Sequence, residues 1–225
     1  MKTISAISLT FVILLTNLPF GQADQTNPPA YDQAIFDDKL MLNGYADKFK
    51  SEPKEILLAM IQDDTLNPLK MAAAVRIFKD NFSREIFTRE KLEAEKILWR
   101  RLNRTESPFV QVEIMHTLCR MDRYKYFDAM APAISLKLDH YNAYITEMAY
   151  NAINDIIQTG NNRTREARII FNTLRRMLFL SRKRLASVTQ PNESLSQKLK
   201  ILRWSIKVLG NQELKKLPPE VIRLL

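Results

Sequence analysis

The dipeptides Asn67-Pro68 and Ser107-Pro108 constrain this chain more than any other feature. Each sets a side chain able to cap a helix before a proline. Proline has no amide hydrogen and a fixed φ, so it suits the first turn of a helix and disrupts the interior. The two prolines are 40 residues apart, and an apolar residue follows each by ten, Phe78 and Leu118. Ala143 and Ile153 repeat that spacing 35 residues further on, without the proline. With Phe78, Leu118 and Ile153 in register, Val75, Met115 and Tyr150 stand three positions earlier, and Ala74, Ile114 and Ala149 four. Offsets of three and four share one helical face. A second helix is expected after each, which gives the cadence of a helical-hairpin array.

The rest of the chain follows the same period. No stretch alternates apolar and polar residues as a half-buried strand does. Helices are expected from Ser51 and Pro53 to about Asp63, from Pro68 to Asp80, from Thr88 to Asn103 and from Pro108 to Met121. Further ones run from Asp122 to Leu138, Asn142 to Thr159, Thr164 to Ala186 and Ser194 to Leu209. Gly160 and Gly210 stand just past two of these ends, where a left-handed residue closes a helix. After Pro218-Pro219, the apolar Val221, Ile222, Leu224 and Leu225 suggest a short helix, the kind of cap a repeat array needs at its end.

The segment Pro108 to Met121 resembles the first helix of a HEAT repeat, with proline, an apolar residue two later, leucine ten later and an apolar residue thirteen later. Pro68 to Phe82 supplies the Ala72-Ala73-Ala74 centre of that pattern but carries Lys70 at an apolar position, and Ala143 to Ile156 lacks the proline. The resemblance covers about residues 52 to 209. It implies an all-α fold, a short α-solenoid of about three to four antiparallel hairpins, with a partner-binding surface on the second helices. A non-repetitive bundle with similar caps is the alternative.

Composition narrows the function classes. At 46% apolar residues the chain is no disordered tail, and with Cys119 as its one cysteine it is no disulfide scaffold. Four glycines in 225 residues argue against Gly-rich phosphate loops. Residues 1–23 read as a secretory signal: Lys2, an apolar run from Ile4 to Leu18, then Pro19 and Gly21-Gln22-Ala23, with cleavage after Ala23. Residues 24–30 are a polar, proline-rich leader, and 31–225 form one helical-repeat domain. The expected location is the bacterial periplasm or outside the cell.

Chemistry-bearing clusters are sparse. His116 and Cys119 share a helical face, but a structural metal site needs about four ligands and His140 is the only other histidine. Both are expected in or near the core. Glu113 and His116 form one Glu-x-x-His pair, where di-iron bundles use two. Carboxylates such as Asp63, Asp122 and Asp155 fall near expected helix ends, where they cap or complement the dipole. No nucleophile elbow is present. The reading is non-enzymatic, with no cofactor and no metal.

Charge is the informative feature. The chain carries +9, but residues 160–225 hold 15 Lys and Arg against 4 Asp and Glu, net +11, while everything before is net −2. On a helix from Thr164 to Ala186, Ala167, Ile170, Phe171, Leu174, Met177, Leu178, Ser181 and Leu185 make the core stripe. Arg168, Arg175, Arg176 and Lys183 lie opposite with Arg182 at the border, and Ile169, Phe179 and Leu180 sit among them. Either the next helix covers those apolar residues or a partner does. Arg168, Arg175, Arg176, Arg182, Lys183, Phe179 and Leu180 are therefore the expected contact surface. An acidic or amphipathic protein is the first partner to expect, since arginine gives planar, bidentate contacts to carboxylates. An anionic lipid or envelope polymer is the second. Nucleic acid is third, and export argues against it. An ordinary solvated face is the remaining alternative.

Overall fold

A computed structural model describes residues 37–83, 88–159 and 163–225, and among them the regular structure is all helical. In chain order the α-helices are α1 (Asp38–Phe49), α2 (Lys54–Gln62), α3 (Pro68–Phe82), α4 (Thr88–Arg104) and α5 (Pro108–Met121). They continue as α6 (Arg123–Leu136), α7 (Ala143–Gln158), α8 (Arg163–Leu185), α9 (Glu193–Leu209) and α10 (Pro219–Ile222). Single 3-10 segments occupy Lys137–Asp139 and Asn211–Lys216. The expected signal and leader, and Gly160, lie outside the described residues.

The helix starts show which caps act. Asn67 accepts from the Leu69 amide, Asp122 from Lys125, and Asn142 from Tyr144 and Ile145, each satisfying amides that have no partner inside the helix. Ser107 occupies the cap position but its hydroxyl makes no capping bond, so Pro108 carries that start. Two starts differ from expectation. Pro53 precedes α2 directly, and Asn192 caps α9 through the Leu195 amide. Ser194 instead donates to the Leu138 carbonyl at 2.6 Å. Gly210 ends α9 with φ 100° and ψ 155°. That is the mirror image of extended backbone rather than the left-handed helical well, and it is available without strain only to glycine.

Helix α1 carries neither a proline start nor a broad apolar stripe, and its fully buried contacts are Leu42 and Ala46. It starts where Asp37 accepts from the Lys39 and Leu40 amides.

Helices α1, α3, α5 and α7 pack in succession as one layer. Helix α2 packs on α4 and α6 on α8 in a second layer, and α9 covers α8 and reaches α7. Neighbour-on-neighbour packing of this kind is compatible with a helical-repeat solenoid. The anchors Phe78, Leu118 and Ile153 fall on α3, α5 and α7 and are all fully buried, as are Ala74, Ile114 and Ala149. Each of the larger side chains, Phe78, Leu118, Ile153 and Ile114, contributes roughly 1.5–3 kcal/mol through burial. Together they form one continuous core.

Ion pairs, each with at least one buried member, fasten successive helices within a layer. Arg101 of α4 donates to the Ile61 carbonyl and to Asp64, both at 2.7 Å. Glu95 of α4 accepts from Lys125 at 2.6 Å and from the Tyr126 hydroxyl at 2.9 Å. Arg123 of α6 holds Glu166 of α8 through two guanidinium nitrogens. These partners are 30 to 43 residues apart, about one repeat length.

The C-terminus docks on α8. Val221 of α10 is fully buried, and the Arg223 Nη2 lies 3.0 Å from the carbonyl oxygens of Leu185, Ala186 and Val188, at and beyond the end of α8. A guanidinium thus adds a donor to the Leu185 carbonyl, which already accepts from the Val188 amide, and satisfies the Ala186 and Val188 carbonyls past the helix end.

Candidate functional site

Helix α8 buries Ala167, Ile170, Phe171, Leu174, Met177, Leu178 and Leu185 as its periodicity requires, with Ser181 half-buried. Helix α9 and α10 take part of its remaining surface and Ile169 packs partly against the core. Phe179 stays 50% exposed and Leu180 83%. Neighbouring helices therefore account for one of the three apolar residues set among the charges, and leave two in solvent.

The basic residues of that face divide by exposure. Arg168, Arg176 and Lys183 are exposed and Arg175 and Arg182 half-buried. The Arg182 guanidinium stacks 4.1 Å from the centre of the Phe179 ring and its Nη1 donates to the Phe179 carbonyl at 3.1 Å. This cation–π contact ties the exposed ring to one of the ridge's own cations. Elsewhere in the same third of the chain Arg165 pairs with Asp128, Lys198 with Asp139 and Lys216 with Glu213, while Arg184, Lys200, Lys207 and Lys215 have no ion pair among the described residues. No acidic side chain among the described residues lies within ion-pair distance of Arg168, Arg175, Arg176, Arg182 or Lys183.

A second site was not expected. It lies on the layer of α1, α3, α5 and α7. Because α3, α5 and α7 pack side by side with their anchors buried, residues two before each anchor form one row, Arg76, His116 and Asn151, and residues two after form another, Asp80, Arg120 and Asp155. All six line a cavity of about 380 Å³. Lys39 of α1 and Glu147 of α7, both in its lining, pair at 2.7 Å, and Asn142 at the start of α7 also donates to Asp38 of α1 at 2.8 Å.

Its floor is a buried charge cluster. Glu113 accepts from Arg76 Nε at 2.7 Å and from Lys79 Nζ at 2.8 Å, and Arg76 also donates to Asn43 at 2.8 Å and to the Tyr144 hydroxyl at 3.1 Å. Burial pushes the Glu113 carboxyl up, but the Lys79 and Arg76 charges outweigh it and hold the group down at about 2. Burial lowers His116 below its ordinary value, against the opposing pull of Asp155, whose carboxylate lies 2.8 Å from Nε2. A neutral imidazole donating from Nε2 fits both. Asp155 is thus a partner of His116 rather than a helix-end charge.

Cys119 faces the core, and burial pushes its thiol up to about 12. It is no nucleophile at neutral pH. Of the aromatic residues on and between α6 and α7, Tyr126 and Phe127 are buried, Tyr144 and Tyr150 half-buried, and Tyr124 and Tyr141 exposed. Among the described residues no cluster of His, Cys, Asp and Glu is arranged to hold a metal, and no helix is long and apolar enough to cross a membrane.

Set beside known proteins, the chain matches no family model, no curated protein and no solved structure.

Proposed function

We propose that this chain is an exported, non-enzymatic adaptor, a short helical-repeat solenoid of the HEAT kind, whose α8 ridge holds an acidic, amphipathic segment of a protein partner. The observation that carries the reading is the set of five cations without ion pairs beside two exposed apolar side chains, Phe179 and Leu180, on one helix. A face kept only for solubility has no need of the two apolar groups. A carboxylate-bearing amphipathic helix matches both, its acids meeting guanidinium forks and its apolar stripe covering Phe179 and Leu180. Four of the five cations are arginine, which favours directed carboxylate pairing over the diffuse attraction that lysine clusters give.

Fluorescence anisotropy with a labelled amphipathic peptide of glutamate and leucine tests it, alongside a sequence in which glutamine replaces glutamate. The acidic peptide should bind with an affinity that falls steeply as salt rises, and the glutamine peptide should not. The doubly reversed Arg175→Glu, Arg176→Glu protein should lose binding while keeping its circular dichroism and melting temperature. Binding to vesicles containing phosphatidylglycerol, with none to the peptide, replaces the protein partner by a membrane surface.

A further inference from the structure

In the cavity of α3, α5 and α7, charge is balanced but hydrogen bonding is not. Four cations and four carboxylates line it. Lys39, Arg76 and Lys79 each donate to an acid, and Glu113, Glu147 and Asp155 each accept from a neighbour. Arg120 and Asp80 remain. The Arg120 side chain is 17% exposed and its Nε is buried with no hydrogen-bond partner. Its nearest carboxylates stand off, Asp80 at 3.5 Å from Nη1 and Asp155 at 3.9 Å from Nε. Asp80, 48% exposed, reaches Lys79 only at 3.9 Å. The Nε is withdrawn from water without a hydrogen bond, which is costly, and the guanidinium meets its two acids only at loose ion-pair distance, so this corner of the cavity can take a further hydrogen-bonding group.

The electrostatics restrict what that is. A simple anion drawn to Arg120 meets Asp80 and Asp155, and a simple cation drawn to Asp80 meets Arg120. A molecule carrying both charges satisfies both. Because Arg120 and Asp80 are adjacent, the ligand's charges must be adjacent too. We infer that the cavity binds the α-carboxylate and α-ammonium of a free amino acid, with the carboxylate on the Arg120 guanidinium and the ammonium on Asp80. Met148 and Ala152, both buried in the lining, offer an apolar wall to the ligand's side chain. A volume of about 380 Å³ admits a molecule of this size. This site is on different helices from the α8 ridge and stands or falls independently of it.

Isothermal titration of the full-length protein with each of the twenty L-amino acids tests the inference. For the best of them the amide, the N-acetyl derivative and, as a molecule with separated charges, 6-aminohexanoate follow. At least one amino acid should bind saturably, and each of the three controls should bind at least tenfold more weakly. Asp80→Asn, at an exposed position that carries no fold, should weaken binding at least tenfold, and Arg120→Gln likewise. Failure of all twenty to bind overturns the inference. So does an N-acetyl derivative that binds as well as the free amino acid, or an Asp80→Asn protein that binds as well as the parent.

Discussion

The Lys79 ammonium donates to the Glu113 carboxylate at 2.8 Å with both side chains more than 90% buried, joining α3 to α5 at the floor of the cavity. Arg76 holds the other carboxylate oxygen, so Glu113 neutralises two cations at once. Replacing Glu113 by alanine strands Lys79 and leaves Arg76 with only its neutral partners Asn43 and Tyr144, and the loss of one partner from a buried ionic group costs about 3–5 kcal/mol. Urea denaturation should show a fall of that order. The joint replacement Lys79→Met, Glu113→Leu removes a charge of each sign and should recover a large part of it.

The same cluster makes the fold acid-sensitive. Glu113 is depressed from an ordinary 4.5 to about 2, so its contribution is complete above about 4.5 and lost as pH falls toward 2. Linkage sets that loss at roughly 3 kcal/mol. His116 is lowered from 6.5, so the unfolded chain takes up its proton first and stability begins to fall below about 6.5. Denaturation midpoints between pH 7 and pH 3 should decline in two stages. Glu113→Gln should flatten the lower stage, and His116→Gln the upper.

At the other end of the chain, Arg223 ties α10 to the last turn of α8. Charge-assisted hydrogen bonds of this kind contribute about 1.5–3 kcal/mol. Arg223→Ala should lower the unfolding free energy by that order. Amide exchange should quicken first at residues 182–188, while α3 and α5 exchange as before.

Helix type, order and most boundaries could be read from the sequence because local chemistry writes them. Asn67 and Asn142 cap where they stand, Pro108 begins a helix, although Pro132 sits inside α6, and Gly210 tolerates a φ closed to other residues. Helix α1 escaped because it buries little, and an amphipathic stripe is the signal that periodicity detects. The α8 ridge was legible because all its members share one helix. The cavity is different. Arg76, Asp80, His116, Arg120 and Asp155 each look like an ordinary polar position on a separate helix, and they meet only through inter-helix packing. The register that aligns Phe78, Leu118 and Ile153 contained the signal. Reading the residues two before and two after each anchor gathers both rows, including Asp155, which sequence position alone groups with helix-end carboxylates although an acid in the last turn of α7 opposes the dipole and needs the partner that His116 supplies.

Amide hydrogen exchange of the whole protein with and without the acidic amphipathic peptide tests most directly whether the α8 ridge is the contact surface. Helical amides already exchange slowly, so the ends of α8 and the segment it shares with α10 give the readable signal, together with crosslinking from a photoreactive residue placed at Leu180. The account predicts peptide-dependent protection confined to α8 and its C-terminal junction, and a crosslink to the peptide that Arg175→Glu, Arg176→Glu removes. Protection elsewhere in the repeats with α8 unchanged, or a crosslink indifferent to the reversal, contradicts it.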